Sequence, residues 1–463
     1  MKRLIGLFAF IVIGATQLAA QQLTPAERAA IDSSARAILA ATGAPGAGIA
    51  IVRGGEVVYE QGYGIGRGEV AASPSMRYEI GSVSKQFTAA AILLLAEEGK
   101  LSLDDKVAKW FPQLTRASEI SIRQLLSMTS GYQDYWPQDY VMPEMQRPTN
   151  SDYIMQKWAG KALDFDPGTK WQYSNTNYVI AGQIVERVSG VKFFDFLRTR
   201  IFTPLKMTSV FDIDAGPLGA SDAGPYLRNA IGPLRFAPKE GRGWLFGAGG
   251  LAMTAHDLSL WNISIINRSL LKPASYDAQQ TNVGLSNGSP TGYGLGVSIS
   301  KPGGRTRISH GGAVSGYTTT NEVYPDQRAA IVVFTNIYPG AAGASSQIAN
   351  RIANVLFVPT DTTGTGARVL ARRIYDDLLK GAVDRSLFTD NANAYFNAEA
   401  IADYQKSLSA LGAPTEFTST GSTLRGGMVL RFYRIRAGGI VMDLTTMTMP
   451  DGKIEQYIVS RAG

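Results

Sequence analysis

The chain has no cysteine and only two histidines, His256 and His310, among its 463 residues. Without cysteine there can be no disulfides, so stability has to come from an apolar core, and 45% hydrophobic residues over this length allow a large one. The scarcity of both residue types leaves little for a structural zinc site. Any metal would rest on oxygen ligands, and no acidic loop has calcium spacing, so neither a metal nor a cofactor is expected. A dense basic run is also missing. The formal net charge is only +7, from 45 basic and 38 acidic residues, so nucleic acid is not an expected partner. No apolar run after the first twenty residues is long enough to span a bilayer. Residues 1–20 combine Lys2 and Arg3, an apolar run from Leu4 to Ile13, and small residues at Ala19 and Ala20. That order reads as a secretory signal peptide, which predicts an exported protein, periplasmic or secreted.

What is present falls into two parts. Apolar runs at Ala47 to Val52 and Glu56 to Tyr59 flank Gly54-Gly55, which predicts a hairpin. A largely helical stretch follows, interrupted from Tyr132 to Asn150 by an aperiodic, aromatic segment that reads as a long loop over a site. Strands are expected again at Tyr293 to Ile299, Thr306 to Ser309, Gly316 to Tyr324 and Ala329 to Thr335, with a helix at Ser346 to Leu356. The fold class is therefore α/β (α+β), an antiparallel sheet flanked by helices with a mostly helical insertion, over residues 21–358. Pro359 to Gly366 reads as a linker. Residues 367–463 read as a separate small α+β domain, two helices and four strands, whose element order loosely resembles the NTF2-like cone.

The chemistry centres on Ser82-Val83-Ser84-Lys85. Val83, Phe87, Ala90, Ala91 and Leu94 form one apolar stripe of a helix that stops at Gly99, so Ser82 lies near its N-terminus and Lys85 one turn on. An amine can reach the hydroxyl from there. The positive end of the helix dipole stabilises charge on Ser82 and disfavours it on Lys85, which moves the lysine toward being a base. S-x-x-K is a short pattern that a chain of this length also contains by chance. A competing nucleophile elbow, Gly284-Leu285-Ser286-Asn287-Gly288, has neither a strand before it nor a helix after it, and no acid separates Ser286 from His310.

Tyr173-Ser174-Asn175 offers a phenol and an amide, or else a core tyrosine and a helix cap. Ser309-His310-Gly311-Gly312-Ala313 offers a strand whose glycines allow close backbone approach, or else an ordinary glycine turn. His256 stays outside the site, in the first turn of a helix opened by Thr254-Ala255-His256-Asp257, which has the spacing of a capping box.

Taken in order, S-x-x-K, Y-S-N and H-G-G resemble the serine β-lactamase and penicillin-binding-protein-like family, in the branch with class C β-lactamases, D-aminopeptidases, DD-peptidases and related esterases. The resemblance runs from Leu39 to Phe357 and includes Leu125 to Gly131, Phe165-Asp166-Pro167-Gly168 and Gly249-Gly250-Leu251. It implies Ser82 as the acylated nucleophile, Lys85 and Tyr173 as the acid/base pair, and Asn175 as substrate binder. It also implies a third wall from His310, Gly311 and Gly312, with the Ala313 N–H in the oxyanion hole. His310-Gly311-Gly312 stands where class C enzymes carry Lys-Thr-Gly, so an imidazole replaces the fixed positive charge that receives a β-lactam carboxylate. That favours an esterase or peptidase acting on a small ester, amide or D-amino-acid peptide, and a cell-wall-derived substrate fits the same expectation. The alternatives are a true β-lactamase or DD-peptidase and, in another class, a weakly catalytic penicillin-binding or sensor protein. Met128 stands where relatives often carry His, with consequences expected for local packing alone.

Overall fold

A computed structural model describes residues 22–341, 343–357, 362–426, 428–449 and 451–462; the expected signal peptide lies outside these residues. The chain divides into two compact units, residues 1–356 and 357–463. The first begins with α1 (Pro25–Thr42), capped by Thr24 with a reciprocal Glu27 contact, and then the expected hairpin, β1 (Gly46–Arg53) and β2 (Glu56–Arg67). After β3 (Val70–Ala71) and β4 (Tyr78–Glu79), a 3₁₀ turn at Gly81–Ser84 leads into α2 (Lys85–Glu97).

The expected apolar stripe is buried, and burial extends beyond it to every residue of α2 from Lys85 to Leu95. Phe87 packs on Trp261 and Phe202 with ring centroids 4.8 and 5.5 Å away. Each large apolar side chain so buried contributes about 1.5–3 kcal/mol, and that packing holds Lys85 inside the molecule.

The helical insertion carries α3 (Thr176–Ser189), the short strands β5 (Phe211–Asp212), β6 (Tyr226–Leu227), β7 (Arg235–Phe236) and β8 (Leu251–Met253), and α4 (Ala255–Asn267). The chain then returns to the main sheet through β9 (Ser298–Ser300), β10 (Arg307–Val314), β11 (Tyr317–Tyr324) and β12 (Ala329–Thr335), and the unit closes with α5 (Ala344–Leu356). The sheet order is β3-β2-β1-β12-β11-β10-β9, every pairing antiparallel. The N-terminal hairpin therefore pairs with the last strand, Ala50 opposite Val332.

Two expected elements differ. Of the Tyr293 to Ile299 stretch only Ser298 and Ile299 are in a strand, because the chain doubles back here: Tyr293 bridges Ser298, and the Gly294 N–H donates to the Val297 carbonyl at 2.8 Å. The Thr254 cap is present, but the Asp257 carboxylate takes the Ser209 backbone N–H and hydroxyl rather than completing a capping box.

The second unit contains α6 (Thr362–Leu378), α7 (Asp390–Tyr395) and α8 (Ala398–Ser409), followed by a four-stranded antiparallel meander of β13 (Glu416–Arg425), β14 (Met428–Ala437), β15 (Ile440–Thr448) and β16 (Ile454–Arg461). Its own core includes Tyr375, Phe396, Tyr433, Leu444 and Tyr457. The expected linker over 359–366 is corrected at its C-terminal side: the backbone is already helical from Thr362, since one Pro at the start and two glycines later do not outweigh helix propagation.

Candidate active site

Three segments meet at one cleft of the first unit. The turn Gly81–Ser84 presents Ser82, the segment before α3 presents Tyr173 and Asn175, and β10 forms the third side. They line a cavity of about 750 Å³ that also takes in Asp134, Asp139 and Tyr338. All eight residues singled out from sequence are here: Ser82, Tyr173, Asn175, His310, Gly311, Gly312 and Ala313 line it, and Lys85 lies beneath Ser82.

Lys85 is fully buried, and its Nζ has three polar neighbours: Ser82 Oγ at 3.0 Å, Asn175 Oδ1 at 2.7 Å and the Ala248 carbonyl at 2.8 Å. Two of these can only accept. A neutral amine with two N–H groups and one lone pair fits this set, donating to Asn175 and Ala248 and facing Ser82 with the lone pair. Burial lowers the Lys85 pKa to about 7, against a smaller upward pull from Asp134. The ring of Tyr173 lies 4.9 Å from Nζ. Burial holds the Tyr173 phenol well above its usual value, and Ser82 draws it back down. No hydrogen bond of full geometry engages its enclosed hydroxyl.

Asn175 occupies the N-cap position of α3, but its side chain caps nothing. Its Oδ1 faces Lys85, and its Nδ2 lies 3.2 and 3.3 Å from the two Asp134 oxygens. Asp134 also accepts the Asn175 backbone N–H at 2.9 Å. The amide is thus engaged at both ends and orients Lys85, a role beyond the substrate contact expected of it. Asp134 itself was not singled out from sequence. It is an acid in the aperiodic loop, 41 residues from its partner, and its only signal was a place in a loop already assigned to the cleft.

Met128 also does more than expected. Its Sδ accepts the Ser174 N–H at 3.4 Å and Asn177 Nδ2 at 3.6 Å, and its carbonyl accepts Gln172 N–H at 3.0 Å. It braces the Tyr173 segment from behind.

The third side depends on two glycines. A Cβ on Gly312 would lie 2.0 Å from the Ile80 carbonyl oxygen, and one on Gly81, whose φ is +52°, would lie 2.9 Å from Ala313 N. The serine turn and β10 are therefore in backbone contact, tied also by Thr319 Oγ1 donating to Ile80 O at 2.9 Å. Because β9 pairs only with Arg307 to Ser309, residues 310–314 of β10 have no partner strand on the cleft side among the described residues. This arrangement suits two backbone N–H groups, of Ser82 and Ala313, aimed at one oxyanion.

His310 is buried. Its Nδ1–H donates to the Gly311 carbonyl at 2.5 Å, and its Nε2 accepts from Tyr293 Oη at 2.8 Å. Burial and the nearby Lys85 lower its pKa to about 4, so the ring is neutral at neutral pH. None of the described residues lining the cavity is lysine or arginine, while Asp134 and Asp139 both are present. The elbow-like Ser286 sits apart in a tight turn closed by a Gly284–Pro290 bridge. His256 pairs with Glu60 at 2.6 Å on the surface.

The description "Beta-lactamase" belongs to the family model that matches residues 31–354. The chain is 29% identical over 301 residues to penicillin-binding protein 4* of Bacillus subtilis (strain 168), covering 61% of this chain and 66% of that protein. It is 27% identical over 343 residues to a D-aminopeptidase of Gluconobacter oxydans (strain 621H), covering 72% and 64%. Each match thus spans a little under two thirds of the relative's own length. Among solved structures, a D-stereospecific amidohydrolase from Streptomyces sp. superposes with a TM-score of 0.62 at 26% identity, over 72% of this chain and 99% of that one.

Proposed function

Because the chain belongs to the Beta-lactamase family, we propose that it is a serine hydrolase that forms an acyl-enzyme at Ser82 on amide, ester or D-amino-acid peptide substrates. The observation that carries this reading is the buried Lys85 amine, 3.0 Å from Ser82 Oγ with its other contacts to acceptors. Lys85 takes the Ser82 proton as Oγ bonds to the substrate carbonyl carbon. The oxyanion is held by the backbone N–H groups of Ser82 and Ala313. Tyr173 passes the proton to the leaving nitrogen or oxygen as that bond breaks. Water then attacks the acyl carbon as its proton goes to the same pair, and that proton passes to Ser82 Oγ as the acyl–oxygen bond breaks, releasing the carboxylic acid and the free serine.

Charge narrows the substrate. A neutral His310 and a lining without lysine or arginine offer no fixed cation to a substrate carboxylate, whereas Asp134 and Asp139 suit a free ammonium. That supports D-amino-acid amides or amino-terminal peptides, in line with the names of the D-aminopeptidase and amidohydrolase relatives. Such compounds include cell-wall fragments. Export belongs to the same reading, supported by the basic, apolar and small-residue order of residues 1–20. No helix among the described residues is long and apolar enough to cross a membrane.

The test is intact-protein mass after incubation with a fluorophosphonate, wild type against Ser82→Ala. A covalent adduct on the wild type alone is expected, and equal labelling of both removes Ser82 as nucleophile. A panel of a D-amino-acid amide, a p-nitrophenyl ester and nitrocefin then ranks substrates, with the amide expected first. A lasting adduct with no turnover of any of the three would mark a binding or sensor protein instead.

A further inference from the structure

Behind the cleft lies a charged cluster that the reaction does not use. Glu79, three residues before Ser82, is buried, and one of its oxygens accepts from Lys239 Nζ at 2.6 Å. The same Nζ donates to the Ser315 carbonyl at 3.2 Å and lies 3.3 Å from the Glu240 carboxylate. Glu240 in turn accepts the Ser315 backbone N–H at 2.8 Å. The Ser315 hydroxyl closes the loop by donating to the Pro238 carbonyl. Lys239 also sits 5.3 Å from the centroid of the Tyr317 ring.

The placement of these groups matters more than their number. Glu79 ends β4 and leads through Ile80 and Gly81 into Ser82, while Ser315 directly follows β10 and is two residues past Ala313. Lys239 therefore joins the chain just before one oxyanion donor to the chain just after the other. The direct contacts between these segments, at Gly81 and Gly312, stop them moving closer. Lys239 links them from the other side, in addition to the Thr319–Ile80 hydrogen bond.

We propose that Lys239 is a positioning residue that sets the spacing of the Ser82 and Ala313 N–H groups, so that acylation depends on it although it touches no substrate. The inference rests on the acyl-enzyme reading above. Without the ammonium, Glu79 and Glu240 face each other across a largely enclosed site, and burial together with Glu240 already favours the protonated form of Glu79. Glu79 would then lose its strong partner, and the Ser315 carbonyl would lose its donor. A donor displaced by part of an ångström weakens transition-state binding more than ground-state binding.

The experiment measures the second-order rate of fluorophosphonate labelling at Ser82, per folded molecule, for wild type and Lys239→Met, with kcat and KM on the best substrate of the panel. The expected result is a labelling rate and kcat lower by about 10- to 100-fold with KM within about twofold. A fall of less than about fivefold, or a change confined to KM, overturns the proposal. If Lys239→Met does not fold, Lys239→Gln is read by the same criterion, since its amide keeps a polar end but cannot ion-pair. Failure of the wild type itself to label at Ser82 would instead overturn the acyl-enzyme reading.

Discussion

Moving the pH tests the central claim about Lys85, because its base form and its cost to stability both follow from one pKa. Burial takes that pKa from an ordinary 10.5 to about 7. If Ser82 reacts only when Lys85 is neutral, the reactive fraction is about one tenth at pH 6, about half at pH 7 and about nine tenths at pH 8. Fluorophosphonate labelling of Ser82 should therefore rise about tenfold from pH 6 to pH 8 and level off above. With an unshifted lysine the rise would be about a hundredfold and would continue past pH 9. Stability gives an independent reading. Between pH 7 and 10.5 the unfolded chain keeps the Lys85 proton while the folded chain releases it, so the unfolded state binds more protons and stability from this group rises with pH. Relative to a side chain that never ionises, the lysine costs about 4 kcal/mol at pH 7 and about 2 kcal/mol at pH 9. Lys85→Met removes this dependence, along with a constant contribution from the lost hydrogen bonds. The stability difference between the two proteins should thus change by about 2 kcal/mol over that interval, in favour of the wild type. Urea unfolding followed by tryptophan fluorescence reports the relevant unit, since all six tryptophans fall before residue 262. A difference that stays constant from pH 7 to pH 9, or labelling that climbs without a plateau, would refute the shifted lysine.

Three further outcomes are expected. Gly312→Ala places a methyl against the Ile80 carbonyl and must push β10 away from Ser82, so labelling should fall about a hundredfold while circular dichroism still shows a folded sheet. Met128→Leu keeps the volume but leaves the buried Ser174 N–H without an acceptor; unfolding should cost about 1–2 kcal/mol less than in the wild type, with a lower kcat. His310→Lys introduces a cation where the wild type has a neutral ring, so acylation by a carboxylate-bearing penicillin should rise about tenfold relative to an uncharged ester, measured by competition labelling.

How much of this was legible in the sequence depended on the range of the contacts. Ser82 and Lys85 are three residues apart, and the turn-then-helix geometry that joins them is local, as are the Gly54-Gly55 hairpin and the stop at Gly99. Burial of α2 on all sides from Lys85 to Leu95 was not legible, because an apolar stripe identifies the core side and says nothing of what the insertion lays over the other. Tyr293 illustrates the opposite failure: its alternating apolar neighbours read as a strand, but the chain doubles back between Tyr293 and Ser298, so the extended run is only the last part of the stretch. Asp134 and Asn175 are 41 residues apart, and Glu79 and Lys239 are 160 apart. Neither pair has a motif, since a carboxylate needs only one partner and any fold can supply it. Met128 was legible as a departure but not as a support, because its action runs through a sulfur lone pair to backbone at Ser174.

The same burial that makes Lys85 a base also limits what Asp134 can do to it. A carboxylate nearby favours keeping the lysine proton on, and Asp134 pulls in that direction. Its own burial, however, raises its pKa, and its hydrogen bonds from the Asn175 and Trp136 N–H groups pull it back only in part. Asn175 stands between the two, with its carbonyl toward the amine and its NH₂ toward the acid. It carries the orienting effect of the carboxylate to Lys85 as a hydrogen bond, while Lys85 and Asp134 make no direct ion pair. An ion pair there would fix the lysine in its protonated form. The interposed amide is what lets an acid order the base without protonating it, and it gives Asn175 a reason to be in the site that does not depend on substrate.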